Sequence, residues 1–173
     1  MTSRRKFIAF AAVASIAEIF GVGKVLAAAD HLVRTDAEWR KLLTPAQFRV
    51  LREAGTEYPF TSPLLNEHRE GVFGCAGCEL PLFSSKTKFD SGTGWPSFWA
   101  PLDDAVQTAT DNSLGMERSA VSCQRCDGHL GHVFDDGPKP TGLRYCMNGV
   151  AMKFTAALAS IGRLGISIQG ERK

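Results

Sequence analysis

From Val72 onward the chain alternates apolar and polar residues in short runs: Val72-Phe73, Leu82-Phe83, Lys88-Phe89, Val106 to Thr110, Glu117 to Ser122 and Leu143 to Phe154. Gly, Pro, Asp and Asn separate them. A two-residue period is that of half-buried strands, and no helical period intervenes between successive runs, so the pattern predicts antiparallel pairing rather than βαβ units. Two short helices are predicted ahead of the strands. One covers Asp36 to Leu43, with Trp39, Leu42 and Leu43 on its apolar side. The other starts at Thr44-Pro45-Ala46-Gln47, a capping box with proline at the first helical position, and runs through Phe48, Leu51 and Arg52 to a stop at Gly55. Between Thr56 and Pro63 two prolines and the loss of any period predict an extended crossing loop. His68, just beyond, reads as a solvated surface residue. The expected fold is mainly β (α+β): two twisted antiparallel sheets with short helices at the N-terminal side. The tail from Ala156 to Lys173 has no clear pattern.

Composition adds one domain of ordinary size, since 173 residues with 44% hydrophobic and 22% charged can bury a sizeable core. The formal charge of +2 changes once the first 29 residues are read separately. Arg4, Arg5 and Lys6 precede an apolar run from Phe7 to Ala17, and Ala27-Ala28-Ala29 form a small-residue cleavage pattern before Asp30. The run is shorter than the ~20 apolar residues of a spanning helix, and Glu18 ends it. Residues 1–29 therefore read as an export signal. The arginine pair resembles the bacterial twin-arginine signal, and a general secretory signal is the alternative. The mature chain, 30–173, would have 16 basic and 17 acidic residues, net −1, and an exported, periplasmic location. A nearly neutral chain without a basic run gives no electrostatic footprint for nucleic acid.

Four of the five cysteines form two pairs, Cys75-Ala76-Gly77-Cys78 and Cys123-Gln124-Arg125-Cys126. Each pair can present two sulfurs from one tight turn, and four thiolates make a closed tetrahedral zinc site. Gly77 and Gly128 are expected to relieve crowding in these turns. Such a site would staple distant loops of the sheet and would be structural. Disulfides, which suit an exported protein, and a thioredoxin-type redox pair are the competing readings.

Cys146, in Arg144-Tyr145-Cys146-Met147-Asn148, is the cysteine left over. In an extended segment Arg144, Cys146 and Asn148 share one face and Leu143, Tyr145 and Met147 the other. A cation two residues from a thiol favours the thiolate, the nucleophilic form, and Asn148 offers a donor and an acceptor beside it. A buried cysteine acting as a small hydrophobe is the alternative. Two further stretches are unusual for turns. The segment Phe89 to Trp99 combines a glycine-rich loop with aromatic residues that could wall an apolar pocket, although Trp95 alone also reads as a core residue. In Gly128-His129-Leu130-Gly131-His132-Val133-Phe134 the glycines could bend the backbone so that both imidazoles face one cavity and deliver a proton.

Together, the first cysteine pair, the Ser91-to-Phe98 loop, the histidine segment and the Cys146 segment resemble the methionine-R-sulfoxide reductase family over roughly Asp36 to Phe154. The resemblance implies a twisted antiparallel β fold with a distant four-cysteine Zn2+ site at Cys75, Cys78, Cys123 and Cys126. It implies that Cys146 attacks the sulfoxide sulfur, that His129 and His132 bind and protonate the oxygen, and that Asn148 helps to hold the reacting atoms. Trp95 would receive the S-methyl group, Phe134 would line its pocket, and Arg144 would adjoin the substrate. One departure stands out: where many members carry a resolving cysteine this chain has Thr93, and no sixth cysteine exists. A Cys146 sulfenic acid would then be reduced by an external, thioredoxin-like thiol. The implied partners are methionine-R-sulfoxide in proteins or peptides, that thiol, and the export machinery, with a monomer as the default state. A zinc-stapled binding module with an inert Cys146, and a thiol oxidoreductase acting on disulfides, are the rival functions.

Overall fold

The computed structural model describes residues 31–115 and 117–157. The expected export signal over 1–29 and nearly all of the tail after Ala156 lie outside these residues.

Two helices come first, α1 (Asp36–Leu42) and α2 (Pro45–Glu53). Both begin at a threonine whose side chain accepts the backbone N–H three residues on, with Glu38 and Gln47 reaching back to close each box. A capping side chain of this kind stabilises a helix by about 1 kcal/mol. Trp39, Leu43, Phe48, Val50 and Leu51 are buried from this pair. Leu42, expected on the apolar side, is 57% exposed because α1 is only two turns long and Leu43 takes the inward position. The left-handed stop after α2 falls on Ala54 (φ 52°) rather than Gly55, whose N–H reaches back to the Arg49 carbonyl.

Among the described residues nine strands follow, in two antiparallel sheets. The smaller sheet has the order β2-β1-β9, from β1 (Gly71–Cys75), β2 (Pro81–Ser84) and β9 (Met152–Ala156). The larger has the order β3-β4-β8-β7-β6-β5. Its strands are β3 (Lys88–Phe89), β4 (Ser97–Phe98), β5 (Val106–Asp111), β6 (Arg118–Cys123), β7 (His129–Phe134) and β8 (Arg144–Met147). The mainly β, two-sheet architecture is the one expected. Two elements differ. The run Leu143 to Phe154 is not one strand: a single 3-10 turn over Gly149–Ala151 divides it, and β9 crosses into the smaller sheet. The loop and histidine stretches each contain a strand, β4 and β7, which their glycines disguised.

Phenylalanines join the sheets. Phe73 of β1 meets Phe98 of β4 edge-on at 5.0 Å, and Phe83 of β2 stacks on Phe98 at 4.4 Å. All three rings are fully buried. Such pairs contribute ~0.5–1.5 kcal/mol each beyond their area, and here they fix β4, next to Cys146 of β8, against the smaller sheet.

Candidate active site and metal centre

Strand register builds the site. Ala109, Ala120, His132, Cys146 and Ser97 form one row across β5, β6, β7, β8 and β4. Directly opposed residues project from the same face of a sheet, so Cys146 and His132 stand side by side. Two residues along, the next row carries Asp111 paired with Arg118 and Phe134 paired with Arg144.

His129 reaches this face through a bulge. It lies three positions before His132, a spacing that on a regular strand would place the two on opposite faces. Ser122 pairs with His129 while Val121 pairs with Gly131, so β7 holds one extra residue, Leu130. Leu130 turns into the core and the imidazoles meet edge to face at 5.3 Å. Gly131 is required here, because a Cβ on it would run into the Cys146 carbonyl oxygen. The bend expected from the glycines is thus a bulge plus a close backbone approach.

Thr56, Trp95, Arg118, Gly131, His132, Phe134, Cys146 and Asn148 line a cleft of about 130 Å³. Trp95 is held by its indole N–H, which donates to the Glu57 carbonyl at 3.2 Å. Asn148 is 3% exposed, and its side chain is committed to the backbone: Nδ2 donates to the Leu130 carbonyl at 3.0 Å and Oδ1 accepts the Glu57 N–H at 2.9 Å. The donor and acceptor expected beside Cys146 are therefore used largely to bind β8, β7 and the crossing loop together. The Glu57 carboxylate accepts the N–H groups of Gly149 and Val150 at 2.5 and 3.0 Å. Burial still pushes that carboxyl up.

Around Cys146 the electrostatics differ from the simple expectation. Arg144 is 9% exposed, makes a bidentate pair with Asp136 at 2.8 and 2.8 Å, and lies over the Phe134 ring at 4.4 Å. It stands behind the cleft lining rather than in it. Burial pushes the Cys146 thiol up, and the Thr93 hydroxyl, the Arg144 charge and the Ser97 hydroxyl pull it down without cancelling that effect. The resting residue is a thiol, because desolvation outweighs a cation already neutralised by Asp136. Thr93 Oγ1 lies 3.8 Å from Cys146 Sγ, and Ser91 Oγ bridges Thr93 and Ser97 at 2.8 and 2.7 Å. His129 is nearly buried, and desolvation followed by the neighbouring His132 lowers its pKa to about 4, so it is neutral near pH 7.

A second cluster stands at the end of β6. The sulfurs of Cys75, Cys78, Cys123 and Cys126 all lie within 4.8 Å of one another, with Cys75–Cys126 at 3.7 Å and Cys78–Cys123 at 3.5 Å. A tetrahedral ion with metal–sulfur bonds of ~2.3 Å needs sulfurs ~3.8 Å apart, so the four residues fit a metal. The two turns are alike: Glu79 (φ 63°) and Asp127 (φ 55°) take the left-handed position after each pair, a role that falls on neither Gly77 nor Gly128. Gly77 has ordinary room, whereas a Cβ at Gly128 would press on Leu51 at 2.9 Å. Helix α2 seals the cluster, with Arg52 donating to the Cys126 carbonyl at 2.7 Å.

Several residues of the site had no assigned part in the sequence reading. Glu57, Asp111 and Arg118 belong to this group, as does Asp136. Only Asp136 left a local signal, an acidic residue eight positions before Arg144 in a hairpin-like stretch.

A SelR-domain family model matches residues 43–156. The "Peptide methionine sulfoxide reductase MsrB" of Pseudomonas putida (strain W619) is 56% identical over 122 residues, covering 70% of this chain and 92% of that protein. The protein of the same name from Leptospira interrogans is 52% identical, covering 70% and 93%. That of Hahella chejuensis is 50% identical over 129 residues, covering 74% and 93%. The chain belongs to the SelR-domain family of MsrB-type oxidoreductases.

Proposed function

We propose that this protein reduces methionine-R-sulfoxide in oxidised proteins or peptides to methionine. The observation that carries the reading is the meeting of Cys146, His132, Trp95 and Phe134 in one small cleft. A sulfoxide oxygen leaves only when protonated, and attack at sulfur needs a thiolate close by. In the proposed reaction the substrate methyl group lies against Trp95 and Phe134, and the oxygen faces the histidine. His132, which lines the cleft with Cys146, donates the proton. Cys146 sulfur bonds to the substrate sulfur as the protonated oxygen leaves as water; water then attacks the Cys146 sulfur and the sulfur–sulfur bond breaks, which releases the thioether. In sum, one thiol and one sulfoxide become one sulfenic acid and one thioether, so the thiol proton makes good the one that His132 gives up. Asn148 and Glu57 hold β8 and Trp95 at their mutual distance. Separate places for methyl, oxygen and backbone arm select one epimer.

The sulfenic acid has no nearby cysteine, since all five cysteines are free and the other four are in the cluster. Two equivalents of an external, thioredoxin-like thiol return it to the thiol, releasing water and a disulfide. Zn2+ in the cluster would be structural, cross-linking β1 and β6. Export to the periplasm through a twin-arginine signal over 1–29, followed by action as a monomer, completes the reading; it rests on the residue pattern of that segment.

Mature protein, 30–173, incubated with pure R and S epimers of an oxidised peptide and a dithiol should turn over R alone. One turnover without reductant should add about 16 Da, one oxygen, to the intact mass. Turnover of S, or a loss of two hydrogens, would sink the proposal.

Thr93→Cys should change that result. With Thr93 Oγ1 3.8 Å from Cys146 Sγ, a sulfur at this position has only to rotate to reach bonding distance. The variant should end its single turnover two hydrogens lighter and become dependent on a disulfide reductant. Persistence of the added oxygen would show that the loop cannot bring the two sulfurs together.

A further inference from the structure

The proposed reaction uses one nitrogen of His132 and leaves the other without a part. That other nitrogen, Nε2, lies 2.8 Å from Oδ2 of Asp111. Asp111 ends β5, two residues past Ala109, and so projects from the same sheet face as His132 and Cys146.

The carboxylate is held from every side. Oδ1 accepts the Ser113 N–H at 2.8 Å, and Oδ2 accepts Arg118 at 2.7 Å as well as His132. Arg118 is itself steadied by Ser113 Oγ at 3.2 Å. The Ser113 hydroxyl, His132 and the Ser113 N–H hold the Asp111 carboxyl far below the usual range, with the Arg118 charge adding to them. An ionised carboxylate only accepts hydrogen bonds, so Nε2 of His132 must carry a proton.

We infer that Asp111, anchored by Ser113 and Arg118, is the positioning residue that fixes the proton of His132 on Nε2 and leaves Nδ1 to face the sulfoxide. The inference rests on the reductase reading above. As an imidazolium, His132 gives its Nδ1 proton to the leaving oxygen and remains the neutral Nε2–H tautomer against Asp111, ready to be reprotonated as the Cys146 thiol ionises. The other charged and titratable neighbours do not compete: His129 on β7 is neutral, and Arg144 on β8 is occupied by Asp136.

The test compares wild type, Asp111→Asn and Asp111→Glu. Their fold is checked by circular dichroism. In substrate-free protein labelled with 15N-histidine, wild-type His132 should be the Nε2–H tautomer at alkaline pH, and Asp111→Asn should give a mixture. With the R epimer, Asp111→Asn should lose about 10- to 100-fold in kcat with little change in KM, and the alkaline limb of its pH profile should move to lower pH. Asp111→Glu should recover most of both. An unchanged tautomer and pH profile in Asp111→Asn would overturn the inference, as would a wild-type His132 protonated on Nδ1. If the wild type reduced neither epimer, the reductase reading would fall, while the tautomer would still decide whether Asp111 orients His132. If Asp111→Asn did not fold, the wild-type tautomer and Asp111→Glu would carry the decision.

Discussion

Replacing Cys146 by serine is expected to take sulfoxide reduction to background, a loss of about four orders of magnitude or more. Serine is close in volume, and its hydroxyl can keep the contact with Thr93, so the fold and cleft should survive. What disappears is the only sulfur among the described residues that line the cleft. A hydroxyl neither ionises near neutral pH nor accepts an oxygen atom. Because Trp95 and Phe134 remain, binding of a methionine-sulfoxide peptide should change by less than about tenfold. Steady-state turnover and equilibrium binding on the same preparation check both halves. Residual turnover within tenfold of wild type would show that Cys146 is not the nucleophile.

Removing the metal from the cysteine cluster should be the largest effect on stability. Structural zinc supplies folding free energy directly, with apparent values of ~10 kcal/mol or more in small zinc domains. Here part of the core stands without it, including the Phe73, Phe83 and Phe98 stack. The expected loss is therefore several kcal/mol, a fall in Tm on the order of 10–20 °C. The damage should begin where α2 seals the cluster, through Leu51 against Gly128 and Arg52 on the Cys126 carbonyl. Thermal melts with a chelator under reducing conditions, read beside metal analysis, provide the measurement. Equal Tm values for metal-free and metal-loaded protein would contradict the proposed role. Ala120, in the same row as His132 and Cys146, and Cys123 are three residues apart on β6, about 10 Å, so partial activity should persist in metal-free protein below its melting point.

Much of this arrangement is local and could be read along the chain. The Thr44-Pro45-Ala46-Gln47 box specifies the start of α2 because both partners of its hydrogen bonds lie within four residues. Short alternating runs identify β1, β2, β3, β5 and β6 because a strand buries every second side chain. The cysteine pairs declare a candidate metal centre because each turn holds two ligands by itself. Cys146 stands out by subtraction, and the resemblance supplied His129, His132 and Trp95 as its companions.

Pairing across the sheet was decided elsewhere. The side-by-side placement of His132 and Cys146 depends on β7–β8 register, and the shared face of His129 depends on a bulge that inserts Leu130. Alternation alone assigns His129 to the wrong face. Ionisation likewise belongs to the folded state: Arg144 beside Cys146 predicts a thiolate, but burial and the Asp136 pair leave a thiol. Glu57 meets Asn148 and Gly149 across some ninety residues, and Asp111 reaches His132 from two strands away. The chemical groups and the short segments that carry them are legible along the chain, since propensity, capping and paired ligands act over a few residues. Which groups meet, which are desolvated and which hydrogen bonds they form follow from folding, because those depend on register and burial set by contacts between distant parts of the chain.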